Sequence, residues 1–217
     1  MSDDARCPRP LAPVSVERLR AATRDDHRAL DHHPELQRLL RPGLTLDGYR
    51  RSLLAMRAPQ GALEGAVEEG AMRLGRREWL SPRRLPRLEA DLAALGVLLP
   101  YTAAKPGLTA PRSIAELLGL RYVLEGSRLG AEVIARCLRS SLGDAAPLAF
   151  FTAPDGRRHW QRFLQQLADT PLDAPDRLEA AAAARRAFTT YRARLAPSAA
   201  YRQEKDSPDA AALPNKE

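Results

Sequence analysis

Apolar residues of this chain recur at intervals of three and four, as in an amphipathic helix. The first such stripe is Val16, Leu19, Thr23, His27 and Leu30. No segment sustains the period-two alternation that is typical of a half-buried β-strand. Ala, Leu and Arg are plentiful and lose little side-chain freedom in a helix, whereas β-branched residues are comparatively scarce. The sequence therefore predicts an all-α protein.

Residues that start or stop helices divide the chain. Ser81-Pro82 is predicted to be an N-cap followed by proline at the first helical position, and Ser113 with Glu116 is predicted to form a capping box. Asp173 is the N-cap of the last helix. Pro59 lies inside a helical pattern and should kink or break it. The predicted helices cover residues 15–33 (stopped by Pro34), 45–67, 81–96, 113–142, a stretch around 160–167 after the Asp155-Gly156 turn, and 173–195.

The length of 217 residues suits one domain with a single hydrophobic core. Residues 1–13 contain three prolines and are predicted to form a loose N-terminal arm. The domain itself is predicted over residues 14–196. The stretch 197–217 is polar and interrupted by prolines, so we expect a disordered tail.

The chain is basic, with a formal net charge of +7. Its arginines are spread among acidic residues without an aromatic-interleaved cluster, which disfavours nucleic-acid binding. An anionic cofactor or an acidic redox partner fits the charge better. The apolar stretch around 92–99 is too short to span a bilayer, and no signal peptide is evident. Cys7 and Cys137 lack metal-site spacing, so we expect free thiols in a cytoplasmic protein.

The first segment with candidate functional residues is LRAATRDDHRALD, residues 19–31. His27 falls four residues after Thr23 and eight after Leu19, so its ring is predicted to point to the buried side of the helix. A single histidine on an apolar face is more often a core residue than a ligand. Neutral imidazole is nevertheless a common axial ligand of haem iron. Arg20, two turns earlier on the same face, is placed to meet a haem propionate.

The second segment is YVLEGSRLGA, residues 122–131, within a predicted helix. Gly126 and Gly130 together cost this helix about 2 kcal/mol relative to alanine, which requires compensation. Glycines four residues apart lie on one face and allow another surface to approach the backbone closely. That surface is either a second helix, which is the commoner case, or a flat cofactor.

Both segments resemble the haem oxygenases. Residues 19–31 are similar to the proximal helix of that family, and residues 122–131 are similar to its glycine-containing distal helix in the bacterial form. The similarity extends over about residues 15–196 in the expected order. It implies a single-domain helical bundle that holds haem between the proximal and distal helices.

The resemblance also implies a reaction. Haem b, both substrate and cofactor, would be opened to biliverdin, carbon monoxide and ferrous iron by dioxygen and electrons. His27 would be the proximal iron ligand, while Gly126 and Gly130 would let the distal backbone crowd the bound dioxygen against one meso carbon. The electrons would come from a ferredoxin or an NAD(P)H-linked reductase, and a basic surface suits an acidic ferredoxin. A phytochrome is a candidate receiver of the biliverdin.

Further residues acquire roles by the same resemblance. Arg20 and Arg185 match basic residues that meet the haem edge. Thr23, Tyr122 and Ala131 are expected to contact haem, with Ala131 replacing a second adjacent glycine. Ser127 stands where the animal enzymes carry a carboxylate that organises water, so proton delivery is expected to use ordered water with Ser127.

Two other functions remain open on the same fold. One is a non-catalytic protein that binds or delivers haem, and the other is an interaction partner of a biliverdin-dependent photoreceptor. His27 together with Gly126 and Gly130 favours the oxygenase, because function resides in the site rather than in the fold. Carboxylate-rich metal sites are disfavoured, since no Glu-x-x-His pair occurs at bundle spacing.

Overall fold

The computed structural model describes residues 16–98, 107–144 and 146–195. Over these ranges the chain forms seven α-helices, a short 3-10 turn and no β-strand, so the all-α prediction is confirmed. The predicted arm (1–13), the predicted tail (197–217) and Cys7 lie outside the described residues. The helices are α1 (Val16–Asp31), α2 (Pro34–Leu39), α3 (Leu46–Arg73), α4 (Leu85–Ala94), α5 (Ile114–Leu142), α6 (Gly156–Asp169) and α7 (Ala174–Arg194).

Helix α5 is the centre of the bundle, where it packs against α3, α6 and α7, while α1 lies along α7. The buried apolar side chains form two clusters. One includes Leu118 and Phe163, and the other includes Leu53 and Leu138. Tyr191 packs against both clusters. None of the helices in the described ranges is long and apolar enough to cross a membrane.

Of the three glycines in α5, Gly119 is the one at which α7 packs closely against the α5 backbone. A Cβ built at Gly119 would overlap the carbonyl oxygen of Ala180 and would lie 2.8 Å from the Cβ of Ala183. The absence of a side chain therefore sets the distance between these two helices.

Replacing Gly119 by alanine is expected to lower the free energy of unfolding by about 1–3 kcal/mol, because the new methyl group forces the two backbones apart. Urea denaturation measures this change. Gly130→Ala is the matched control on the same helix. A Cβ there meets no atom within 4 Å, and alanine favours the helix by about 1 kcal/mol. Equal effects of the two substitutions would contradict this packing.

Two prolines behave differently from each other. Pro34 does end the first helical segment, but it also begins α2, a short helix that the sequence analysis did not predict. His33 caps this helix, since its Nδ1 accepts a hydrogen bond from the backbone N–H of Glu35 at 3.3 Å. Pro59 was predicted to kink or break its helix, and the structure shows that α3 is not broken there. Residues 59–64 are buried, so tertiary packing offsets the lost backbone hydrogen bond.

The start of α4 was also predicted wrongly. The helix begins at Leu85 rather than at Ser81-Pro82. The Glu64 carboxylate of α3 accepts hydrogen bonds from the backbone N–H groups of Arg84 (2.7 Å) and Leu85 (3.2 Å). A carboxylate at a helix N-terminus satisfies orphan donors and opposes the helix dipole. The cap thus comes from another helix, and it fixes where Arg84 lies.

Asp91 of α4 anchors the segment between α5 and α6. Its two carboxylate oxygens accept hydrogen bonds from the backbone N–H groups of Ala149 (2.9 Å) and Phe150 (2.8 Å). The Tyr49 hydroxyl donates to the carbonyl oxygen of Pro147 at 2.7 Å. These bonds hold Phe150 and its neighbour Phe151 in a buried position beside the cavity described next.

Candidate active site

A cavity of about 490 Å³ lies between α1, α3, α5 and α7. Most of its wall is apolar, with Leu63, Val123, Phe150 and Phe188 among the lining side chains. An apolar cavity with a few convergent polar groups is typical of a site for an organic ligand. The polar side chains on the wall are Arg20, His27, Asp31, Gln60, Arg84, Tyr122, Ser127 and Tyr191.

His27 lies on the α1 wall of the cavity. Its side chain is 58% exposed, so the prediction that the ring points to the buried side needs correction: the ring borders the open cavity instead. Its Nδ1 lies 2.7 Å from the Asp31 carboxylate, one helical turn later. When the imidazole is neutral, Nδ1–H donates a hydrogen bond to this carboxylate and Nε2 carries the lone pair that can bind a metal. The ring edge rests on Phe188, with 5.5 Å between the ring centroids.

Gly126 and Gly130 lie on the α5 wall of the same cavity. A Cβ at Gly130 would meet no atom within 4 Å, and one at Gly126 would meet only Trp160, at 3.6 Å. Neither glycine therefore serves helix packing, the alternative left open by the sequence; Gly119 has that role. The α5 backbone is accessible to a ligand along this stretch.

Seven of the nine residues predicted for the site line this one cavity. Tyr122, one of them, is fixed by aromatic contacts, with its ring centroid 5.9 Å from that of Trp160. The sequence segments 19–31 and 122–131 are thus brought face to face. The seven residues are Arg20, His27, Tyr122, Gly126, Ser127, Gly130 and Ala131.

Thr23 and Arg185 are placed elsewhere. Thr23 is buried, and its hydroxyl donates to the carbonyl oxygen of Leu19 at 2.7 Å. Arg185 is exposed, and its Nε donates to the Asp26 carboxylate at 3.0 Å. Arg185 borders a separate surface groove with residues 107–109. Neither residue is on the wall of the cavity.

Arg84 is a wall residue that the sequence analysis missed. It is 3% exposed, and its Nη2 donates a hydrogen bond to the Ser127 hydroxyl. The guanidinium carbon lies 5.0 Å from the ring centroid of Phe150. Burial, with a smaller effect of Arg128, lowers the pKa of Arg84 to about 10, so the side chain is a cation at neutral pH. No motif marked it among the many arginines of the chain.

Ser127 has two hydrogen bonds within the protein. Its hydroxyl donates to the Leu124 carbonyl oxygen at 2.7 Å and accepts from Arg84. The hydroxyl proton is therefore already engaged, and Ser127 presents an acceptor rather than a donor to the cavity.

Gln60 and Tyr191 form a second polar patch that was not predicted. The Tyr191 hydroxyl donates to Gln60 Oε1 at 3.3 Å, and Gln60 Nε2 donates to Glu64 at 2.7 Å. Burial raises the pKa of Tyr191, so its hydroxyl stays protonated. The spacing of Gln60 and Glu64 at i and i+4 was the only sequence signal available for this contact.

The chain matches known proteins over most of its length. A family model described as "Heme oxygenase" matches residues 15–196. The chain belongs to the haem oxygenase family. The resemblance of its two helical segments is thereby confirmed, and the protein is an oxidoreductase. A heme oxygenase of Xanthomonas campestris pv. campestris (strain 8004) is 38% identical over 123 residues, which are 56% of this chain and 72% of that protein.

Solved structures of haem oxygenases share the fold. The enzyme from Neisseria meningitidis, in NO- and CO-bound forms, is 25% identical with a TM-score of 0.61, over 82% of this chain and 88% of that one. The Leptospira interrogans enzyme is 18% identical with a TM-score of 0.65, over 82% and 96%. The Synechocystis sp. PCC6803 enzyme in complex with heme is 15% identical with a TM-score of 0.58, over 90% and 94%. The predicted haem-oxygenase-like bundle is therefore confirmed.

Proposed function

We propose that this haem oxygenase cleaves haem reductively with dioxygen, giving biliverdin, carbon monoxide and ferrous iron. The observation that carries the proposal is the single cavity with His27 on one wall and the bare backbone of Gly126 and Gly130 on another. A flat macrocycle fits an apolar space that has one metal-competent imidazole and a helix face free of side chains.

The binding roles follow from the positions of the side chains. His27 Nε2 would bind the iron, and Asp31 would hold the imidazole in the required tautomer. Arg20, an exposed cation on the cavity wall, would pair with a propionate, since a guanidinium matches the geometry of a carboxylate. Arg185 would reach a propionate only if it released Asp26.

The remaining protein groups would control orientation and water. Haem supplies the redox chemistry, and the protein supplies position and a defined environment. A neutral imidazole does not push electrons toward O–O cleavage as a thiolate does. The absence of side chains at Gly126 and Gly130 lets the α5 backbone lie close to the macrocycle. Ser127, bonded to Arg84, would order a water molecule beside it.

The electrons would come from an external donor. The net charge of +7 favours an acidic protein such as a ferredoxin, because complementary charges speed and orient the encounter. Exposed arginines on α1 (Arg18, Arg24 and Arg28) lie on the helix that also carries His27. An NAD(P)H-linked reductase is the other donor class.

Turnover of bound haem tests the proposal. Hemin is titrated into the protein, and a reductant is then added in air with catalase present to remove free peroxide. We expect the Soret band to decay while the absorption of biliverdin appears and carbon monoxide is trapped by reduced myoglobin. A Soret band that persists through prolonged reduction would instead establish a non-catalytic haem-binding protein.

A further inference from the structure

Arg84 is a buried cation without a carboxylate partner. Among the described residues no acidic side chain lies within salt-bridge distance of its guanidinium. Its hydrogen-bonding contact is the neutral hydroxyl of Ser127, and its Nε is buried without any hydrogen-bond partner. The face of Phe150 supplies a further contact. The guanidinium nevertheless lies on the wall of the active-site cavity.

The neighbouring carboxylates are committed to other donors. Glu64 accepts from the backbone N–H groups of Arg84 and Leu85 and from the Gln60 side chain. Glu125 forms a buried pair with Arg128 at 2.7 Å. Neither acid therefore contacts the Arg84 guanidinium, although both lie near enough to raise its pKa.

A charge removed from water is unfavourable unless an opposite charge or hydrogen bonds replace the lost solvation. Glu64 caps the N-terminus of α4 and does not pair with the Arg84 guanidinium. The Arg84 side chain instead lines the cavity. A negative group within that cavity would offset the charge of the Arg84 guanidinium, because opposite charges attract each other strongly beside a largely apolar wall. His27 lies on the wall of the same cavity, so an anion bound to a metal at His27 would share this cavity with the Arg84 guanidinium.

We propose that Arg84 selects the ligands of the haem iron by charge, favouring anionic ligands over neutral ones in the space beside Gly126 and Gly130. Ser127 and Phe150 hold the guanidinium in place. The inference rests on the proposed binding of haem through His27, and it adds a residue to which neither the sequence motifs nor the family resemblance assigned a role. Arg84 thus stabilises negative charge on the side of the haem opposite the histidine.

Ligand binding to the hemin complex tests the role of Arg84. The probes are azide, an anion, with the ferric protein and carbon monoxide, a neutral ligand, with the ferrous protein. In Arg84→Met we expect azide affinity to fall about tenfold, while carbon monoxide affinity stays within about twofold. Arg84→Lys should retain most of the azide affinity because it keeps the charge.

Arg83→Met is the matched control. Arg83 is the adjacent residue, 45% exposed, and it pairs with Glu64 and Glu68 rather than lining the cavity. We expect its loss to change azide affinity by less than about twofold, because exposed charges are screened by solvent. A comparable fall in Arg83→Met and Arg84→Met would show a general charge effect and overturn the proposal.

Ser127→Asp provides a second variant in case Arg84→Met does not fold. It places a carboxylate beside the guanidinium and should neutralise it, again lowering azide affinity about tenfold without a matching loss for carbon monoxide. Unchanged azide affinity in a folded variant, or equal losses for both ligands, would refute the assignment. A wild-type protein that binds no hemin would instead overturn the proposed function and this inference with it.

Discussion

Replacing His27 by alanine is expected to lower the rate of haem cleavage by more than about 100-fold. Loss of an outer-shell partner of a metal ligand already costs 10- to 100-fold, and loss of the ligand itself should cost more. Among the described residues that line the cavity, His27 is the sole histidine. The measurement is single-turnover decay of the Soret band under reductant.

Free imidazole separates loss of the ligand from damage to the fold. The ring of His27 borders open space, so its removal leaves room for exogenous imidazole to enter and bind the iron. We expect imidazole to restore part of the turnover in His27→Ala. His32→Ala is the matched control, because His32 is exposed at the end of the same helical segment and does not line the cavity. Normal turnover in His27→Ala would remove the assigned ligand.

Filling the cavity from the α5 side should lower haem binding or turnover by a comparably large factor. Gly130→Leu places a branched side chain in the space that no protein atom occupies within 4 Å of the new Cβ. We expect haem affinity or turnover to fall by about 100-fold, since overlap of a leucine with the macrocycle cannot be relieved without moving α5 or the ligand. Hemin titration and turnover assays measure the two effects.

The stability of the haem-free protein, in contrast, should not fall in this variant. Leucine favours a helix by nearly 1 kcal/mol over glycine, so Gly130→Leu should unfold at equal or higher urea concentration than wild type. Gly65→Leu is the control on α3, because an added Cβ there also meets no atom within 4 Å but faces away from the cavity lining. A Gly130→Leu protein that cleaves haem at the wild-type rate would contradict the position of the macrocycle.

Local signals predicted much of the fold. Ser113 and Asp173 both cap helices through their own side chains, at 3.0 Å and 2.7 Å from the backbone N–H three residues later. Gly143 ends α5 with a φ of 80°, a conformation that favours glycine. Such caps depend on neighbours in the sequence, so the α5 and α7 boundaries were predicted closely.

The errors arise where distant residues decide the local structure. The start of α4 depends on Glu64, about twenty residues earlier in the chain, and so Ser81-Pro82 proved a false signal. The helical continuation through Pro59 depends on buried packing around α3. Both departures come from tertiary contacts that override local preference.

The residues of the candidate site also divide into those that the sequence could indicate and those that only the tertiary structure reveals. Residue type and spacing singled out His27, Gly126 and Gly130, and the resemblance to the haem oxygenases then assigned them roles at a haem site. Arg84 could not, since an arginine near a predicted helix start is ordinarily solvent-exposed. The glycines of α5 look alike in the sequence, and only their surroundings distinguish Gly119, which packs against α7, from those that border the cavity.

The central claim is that haem lies between α1 and α5 with its iron bound to His27. The most direct measurement is a crystal structure of the hemin complex. We predict electron density for the macrocycle in this cavity, a bond from the iron to His27 Nε2, and the backbone at Gly126 and Gly130 against the opposite face. Iron bound by another residue, or the imidazole of His27 rotated away from the metal, would contradict the account.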